Sequence, residues 1–332
     1  MKLVSYFRLK EVRWSLPDER ADAWRARFPG LEVVSVETDA DLPAALADAD
    51  AFLGWRIPEE DFAAARRLRW FHSASAGVEE SLFPALIDSA VTMTNSTGLH
   101  GVCIPEHIMG QMLVLARNFH EAVRLQSRAE WNRFAIIVHQ GGLRELHGSK
   151  LAILGAGPIG ANLARMAVAM GMTVRVLRRD PGKPVEHAEA VVGPADLHAL
   201  LTWADFVVLA VPLTAETRGL IGAAELRAMR SSAYLINVAR GEVVDEAALV
   251  DCLRAEGIAG AALDVFDQEP LPSDHPLWAL PNALLTPHIS GYTATYFDRM
   301  LALFEDNLGR FLAGQPLRNV VDKRLGYAPG AG

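Results

Sequence analysis

Residues 150–160 read Lys-Leu-Ala-Ile-Leu-Gly-Ala-Gly-Pro-Ile-Gly, an apolar run that ends on Gly155, Gly157 and Gly160. Such a run suits a strand buried on both faces. The glycines suit a tight turn, a close approach of backbone to a pyrophosphate and a close helix–strand contact. Residues 161–170 read as a helix whose N-terminus would face the phosphates. Gly155, Gly157, Pro158, Ile159 and Gly160 are therefore expected to hold a dinucleotide. Glycine-rich turns are common, and it is the context that raises this one: strand before, helix after, and a second apolar, β-branched strand at 173–177. The end of that second strand bears on which dinucleotide. An NAD site usually places an acidic residue there, about 20 residues after the first glycine, to bond the ribose 2′-hydroxyl. This chain has Arg178 and Arg179, with Asp180 only after them. Guanidinium groups pair with a 2′-phosphate that a carboxylate would repel. The cofactor expectation is NADP(H) in preference, with NAD(H) kept as the alternative.

At 332 residues the chain is long enough for two domains, each with its own core. Its net charge of −8 and lack of a basic tract argue against nucleic acid as a partner. Cys103 and Cys252 are its only cysteines, too few for a disulfide framework or a cysteine-based metal site, and they fit a reducing cytoplasm. The first residues are too soon interrupted by charge for a signal peptide, and no apolar run approaches membrane-spanning length. The expectation is a cytoplasmic protein with no membrane partner and no metal.

Strand and helix patterns alternate throughout, which implies parallel sheets covered by helices. One series of strands falls near 2–7, 31–37, 51–55, 69–74 and 91–95, and a second near 150–155, 173–178, 206–211, 233–238, 259–265 and 283–287. Helical patterns include 17–28, 58–68, 104–119 and 293–312. The fold class is α/β with two doubly wound domains. Residues 101–290 would form a Rossmann dinucleotide-binding domain, and residues 1–100 with 291–332 a flavodoxin-like substrate-binding domain.

Doubly wound sheets bind ligands beyond the carboxyl ends of their strands. Arg240, Glu269 and His288 each follow a strand of the second series. Singly, each reads as a surface or structural residue. Together, beside a dinucleotide turn, they form an acid/base set with an anion anchor. Histidine can give a proton to a nascent alkoxide near neutral pH. A carboxylate on its other ring nitrogen fixes the tautomer and raises its pKa. Arginine can grip a carboxylate in two bonds and polarise the carbonyl next to it.

With those residues placed, the chain resembles the D-isomer-specific 2-hydroxyacid dehydrogenase family from about residue 50 to 320. The resemblance is carried in order by residues 73–79 (Ser-Ala-Ser-Ala-Gly-Val-Glu), 105–107 (Pro-Glu-His), the glycine turn, 210–214 (Ala-Val-Pro-Leu-Thr), 237–241 (Asn-Val-Ala-Arg-Gly), 263–270 and 286–288 (Thr-Pro-His). It implies that Arg240 binds the carboxylate and carbonyl of a 2-oxo acid. It implies that His288, paired with Glu269, is the general acid in reduction and the base in oxidation. Backbone amides of Ser75, Ala76 and Gly77 would clamp the substrate carboxylate. Asp264 would hold the nicotinamide carboxamide, and Val211, Pro212, Thr217, Val238 and Ala239 would line the cofactor. A homodimer formed through the dinucleotide domain is implied, as is a cleft that closes on substrate.

Departures narrow this reading. Glu269 stands where the family's formate dehydrogenases carry glutamine, which argues against formate. Arg178 in place of the NAD-type aspartate resembles the glyoxylate/hydroxypyruvate reductase branch, which reduces short 2-oxo acids with NADPH. Pro105 stands where the family often has alanine, but Glu106 and His107 follow as expected. Arg56, after a first-series strand, is a second candidate anchor for substrate, against the plainer reading of a surface ion pair. Trp131 and Phe134 are read as packing at the dimer interface. Two alternatives stay open: a dinucleotide-sensing, corepressor-like binding protein, and an NAD-linked dehydrogenase of a bulkier D-2-hydroxy acid.

Overall fold

The computed structural model describes residues 1–7, 14–139 and 142–329. The chain divides into two compact units, one made of residues 1–99 with 294–332 and the other of residues 100–293.

The first unit holds a five-stranded parallel sheet of β1 (Lys2–Tyr6), β2 (Glu32–Ser35), β3 (Ala51–Gly54), β4 (Trp70–Ser73) and β5 (Thr92–Thr94), in the order β2-β1-β3-β4-β5. This is the flavodoxin-like order. β3 and β4 are buried along their whole length, as expected for central parallel strands with both faces covered. One face is covered by the helices Asp18–Arg27 and Tyr296–Leu312, which arrive from opposite ends of the sequence. Phe304 stacks on Trp70 with ring centroids 4.9 Å apart, and the Trp24 indole donates to Glu305 at 3.1 Å. The tail joins the same unit. Val320 bridges to Thr94, and the Lys323 ammonium donates to the carbonyls of Leu86, Ser89 and Val91.

The second unit holds seven parallel strands: β6 (Lys150–Leu154), β7 (Thr173–Leu177), β8 (Ala190–Val192), β9 (Phe206–Leu209), β10 (Tyr234–Asn237), β11 (Gly260–Leu263) and β12 (Ala283–Leu285). Their order is β12-β11-β10-β9-β6-β7-β8. Counted from β6, that is the Rossmann order extended by one strand, with the switch point between β6 and β9. Leu151 to Leu154 and the whole of β9 and β10 are buried between two apolar clusters, one on each face.

Three details differ from the sequence expectation. β8 has no fully buried residue, so its apolar pattern is too weak to stand out. The helical pattern at 104–119 becomes two helices, Cys103–Ala116 and Phe119–Ser127. Asn118 breaks it by adopting a left-handed φ of 52°, with its amide donating to the Ile136 and His139 carbonyls. The pattern at 58–68 is a helix only over Glu59–Phe62, after which three-residue turns bring Ala65 and Leu68 into the core. Among the described residues, no helix is long and apolar enough to cross a membrane.

Candidate functional site

The glycine turn is built from close approaches. Gly155 has φ +118°, and a Cβ there would fall inside the Ala210 carbonyl. A Cβ on Gly160 would strike the Gly155 carbonyl. Side chains at either position would push β6 from β9 or lift the helix Pro158–Ala169 from the turn. Gly157 differs: it is exposed, and nothing lies within 4 Å of its Cβ position. No side chain caps the first turn of that 12-residue helix. Open space over uncapped helix amides fits a pyrophosphate. The approach of Gly155 to Ala210 also sets Val211 and Pro212 beside the turn. Thr217 holds them, donating to the Pro212 carbonyl at 2.6 Å and accepting from the Thr214 amide at 2.8 Å.

At the end of β7 the two arginines part. Arg179 pairs with Glu216 at 2.6 Å. Arg178 donates to the Lys183 carbonyl at 3.3 Å and makes no ion pair among the described residues. Asp180 is turned into its own loop, accepting from the Gly182 amide at 3.1 Å with the Lys183 ammonium 3.7 Å away. Among the described residues, no carboxylate thus neutralises Arg178.

Arg240, Glu269 and His288 converge. The Asn237 side chain ties the turn after β10, accepting from the Ala239 amide at 3.0 Å and donating to the Arg240 carbonyl at 2.9 Å. A Cβ on Gly241 would fall inside the Phe266 carbonyl, so only glycine lets this turn lie against the loop after β11. Glu269 closes that loop by accepting from the Phe266 amide at 3.0 Å. Its other oxygen accepts from His288 Nδ1 at 2.6 Å, which leaves Nε2 for a substrate. The Glu269 hydrogen bond raises His288 above its usual 6.5, against partial burial and the Arg240 charge. Burial works to raise Glu269, but the His288 bond and charge, the Phe266 amide and Arg240 outweigh it and hold the carboxyl below its usual value.

His288 sits at φ 52°, unusual for a residue with a Cβ. Asp264, fully buried, accepts from the two amides that follow, Ile289 at 3.0 Å and Ser290 at 2.9 Å, and from the Thr286 hydroxyl at 2.5 Å. The carboxylate expected to meet the nicotinamide carboxamide is thus the hub of the His288 loop. Val238 and Ala239 are buried at the end of β10.

In the first unit, loop 73–77 is pinned by its carbonyls. Ser73 and Ser75 accept from Ser96, Ala74 from the Tyr296 hydroxyl and Ala76 from the Asn95 amide. The Ser75 amide is already used, donating to Ser73 Oγ at 3.2 Å. Among the described residues the amides of Ala76 and Gly77 carry no hydrogen bond. His72 lies below this loop, its Nδ1 2.7 Å from Thr94 Oγ1, and burial pushes its pKa down to about 3. Arg56 lies 3.6 Å from Glu80.

Sequence reasoning missed several of these groups. His107 lies in the Pro-Glu-His motif, whose spacing implies no role for it, and it reaches Thr286. His100 lies against Gly291, where a Cβ would meet its Cδ2 at 2.9 Å. Burial, together with the charges of Arg240 and His288, pushes its pKa down to about 4. A histidine three residues before Cys103 gives no period and no motif to single it out. No three His, Cys, Asp or Glu side chains are grouped to hold a metal ion among the described residues.

Residues 109–290 match the model for the D-isomer specific 2-hydroxyacid dehydrogenase, NAD binding domain. The chain belongs to the D-isomer specific 2-hydroxyacid dehydrogenase family. Within the family it is 36% identical over 321 residues to glyoxylate/hydroxypyruvate reductase B of Pectobacterium atrosepticum, covering 92% of this chain and 96% of that one. It is 33% identical over 297 residues to D-3-phosphoglycerate dehydrogenase of Methanocaldococcus jannaschii, covering 88% of this chain but only 55% of that longer protein. Among solved structures, the NADPH-dependent glyoxylate/hydroxypyruvate reductase of Sinorhizobium meliloti, determined with NADP and sulfate, superposes with a TM-score of 0.82 at 28% identity, covering 98% of this chain and 99% of that one. The second unit thus carries the family's nicotinamide-dinucleotide domain.

Proposed function

We propose that this chain is an NADP(H)-preferring oxidoreductase that interconverts a short 2-oxo acid, of the glyoxylate or hydroxypyruvate kind, and the corresponding D-2-hydroxy acid. The observation that carries the reading is the Glu269–His288 hydrogen bond, held beside Arg240 by the approach that Gly241 permits. A nicotinamide dinucleotide, held by Gly155, Gly157, Pro158, Ile159, Gly160, Val211 and Pro212, supplies the hydride. Arg240 grips the substrate carboxylate and polarises the neighbouring carbonyl. In the first unit, the amides of Ala76 and Gly77 are a further anion anchor. His288, protonated and oriented by Glu269, gives its Nε2 proton to the carbonyl oxygen, and takes it back in the oxidative direction.

The test is initial rates with glyoxylate, hydroxypyruvate, pyruvate and phenylpyruvate, each with NADPH and NADH at equal concentration. Turnover of a short acid with NADPH supports the proposal. Tight NADPH binding without turnover of any acid replaces it with a dinucleotide-responsive binding protein. The NADP(H) preference rests on Arg178, which, unlike Arg179, meets no carboxylate among the described residues. Arg178→Asp is expected to lower kcat/KM for NADPH by about tenfold or more while sparing NADH, since a phosphate-paired guanidinium is replaced by a like charge. An unchanged NADPH/NADH ratio overturns that assignment.

We further propose a homodimer. Phe119, Val123, Trp131 and Phe134 stand exposed along residues 119–138, Trp131 at 97% and Phe134 at 70%. So many large apolar side chains exposed within twenty residues suggest a partner surface. Trp131→Glu with Phe134→Glu is expected to yield monomers in sedimentation velocity, where the parent chain sediments as a dimer.

A further inference from the structure

We propose that His107 is a positioning residue for His288, acting from the helix Cys103–Ala116 through Thr286 and Asp264. The inference rests on the oxidoreductase reading for its kinetic consequences but not for its structural ones.

The chain of contacts is continuous and lies within the second unit. His107 Nε2 is 3.2 Å from Thr286 Oγ1, and Gln111 Nε2, one helical turn on, is 3.4 Å from the same oxygen. The Thr286 hydroxyl donates its single proton to Asp264 Oδ1 at 2.5 Å. Having donated, that oxygen can only accept, which assigns the N–H of His107 to Nε2. Asp264 Oδ1 is also 3.8 Å from His107 Nε2, so the ring faces the hydroxyl and the carboxylate together. Burial lowers the pKa of His107 while the Asp264 charge opposes it, and the neutral ring still donates.

What this network holds is the left-handed turn at His288. The amides of Ile289 and Ser290 both end on Asp264, and the His288 amide ends on the Thr286 carbonyl at 3.0 Å. A non-glycine residue at φ 52° persists only where its surroundings fix it. If Asp264 turns, both amides lose their acceptor, the turn relaxes and Nδ1 leaves the bond to Glu269. Thr286 sets the rotamer of Asp264, and His107 with Gln111 sets the direction of the Thr286 hydroxyl. Deleting His107 frees that hydroxyl to point elsewhere.

Two readouts test this. The first needs no turnover. In protein labelled with ¹⁵N-histidine, the His288 ring, identified by its loss in His288→Ala, is titrated in the parent chain, His107→Ala and His107→Gln. His288 is expected to titrate above 6.5 in the parent chain, to fall back toward 6.5 in His107→Ala, and to be recovered in His107→Gln, whose amide N–H reaches about as far as Nε2. The second is kinetic. His107→Ala is expected to lower kcat by about tenfold, the worth of one lost hydrogen bond to a charge-linked network, with KM little changed, and His107→Gln to restore most of it. In a Thr286→Val background, removing His107 is expected to have no further effect on either readout. A His288 titration in His107→Ala that matches the parent chain overturns the proposal, as does an equal loss in the Thr286→Val background. If the parent chain turns over no 2-oxo acid but the titrations shift as described, the oxidoreductase reading fails and the positioning role stands.

Discussion

His288→Ala is expected to cut the turnover of 2-oxo acid reduction by ~10²-fold or more, the usual contribution of a placed general acid. Binding of NADPH should survive, because the glycine turn and Arg178 lie on other loops. The pH profile gives a second reading of the same group. His288 is raised above 6.5 by Glu269, so its proton is fully available below that value and is lost as pH rises through the higher folded pKa. Glu269 is held below its usual 4.5, so the pair persists until pH falls through that lowered value. Reduction should therefore show a plateau from below pH 4.5 to above pH 6.5, limited at the acid end by protonation of Glu269 and at the alkaline end by deprotonation of His288. The pair's contribution to stability shares this window. Near-parent activity in His288→Ala would sink the assignment.

Arg240→Ala is expected to lower kcat/KM for the 2-oxo acid by ~10²-fold, through the loss of a charge-assisted carboxylate contact worth about 3 kcal/mol. Lysine at this position restores the charge but not the planar fork, and should recover only part of the loss. Because Arg240 also depresses the pKa of both Glu269 and His288, its removal should move the alkaline limb of the profile upward. An unaltered KM and kcat in Arg240→Ala would show that the side chain merely bonds its own turn, as its 2.6 Å contact with the Ala239 carbonyl does.

What was legible in the sequence was what local pattern dictates. Residues 151–154 announce a central strand because no polar side chain interrupts them, and the glycines announce a turn because only glycine tolerates the approaches made there. Arg240, Glu269 and His288 could be grouped before any geometry because each follows a strand and parallel strands end on one edge. The supporting layer was not legible. His107 meets Thr286 across 179 positions, and Tyr296 meets Ala74 across 222. Such pairings are fixed by topology and leave no period or spacing. Asn118 illustrates the same limit at short range: the apolar pattern continues across it, while its side chain is bound to carbonyls 18 and 21 residues on.

The first unit has a biosynthetic consequence. Its β-strands are among the first residues made, but the helix Tyr296–Leu312 that covers Trp24 and Trp70 follows 194 intervening residues, 100–293. At the usual pace of translation that interval lasts roughly 10–40 s. Throughout it, the sheet face that bears Trp70 has only the helix Asp18–Arg27, with Trp24, as its cover. The nucleotide unit, continuous in sequence, meets no such delay and can close while its neighbour is still open. Chaperone demand during synthesis therefore falls on the amino-terminal sheet, and a ribosome that stalls after residue 293 but before the helix Tyr296–Leu312 is made releases a chain with the nucleotide unit complete and the first sheet only partly covered.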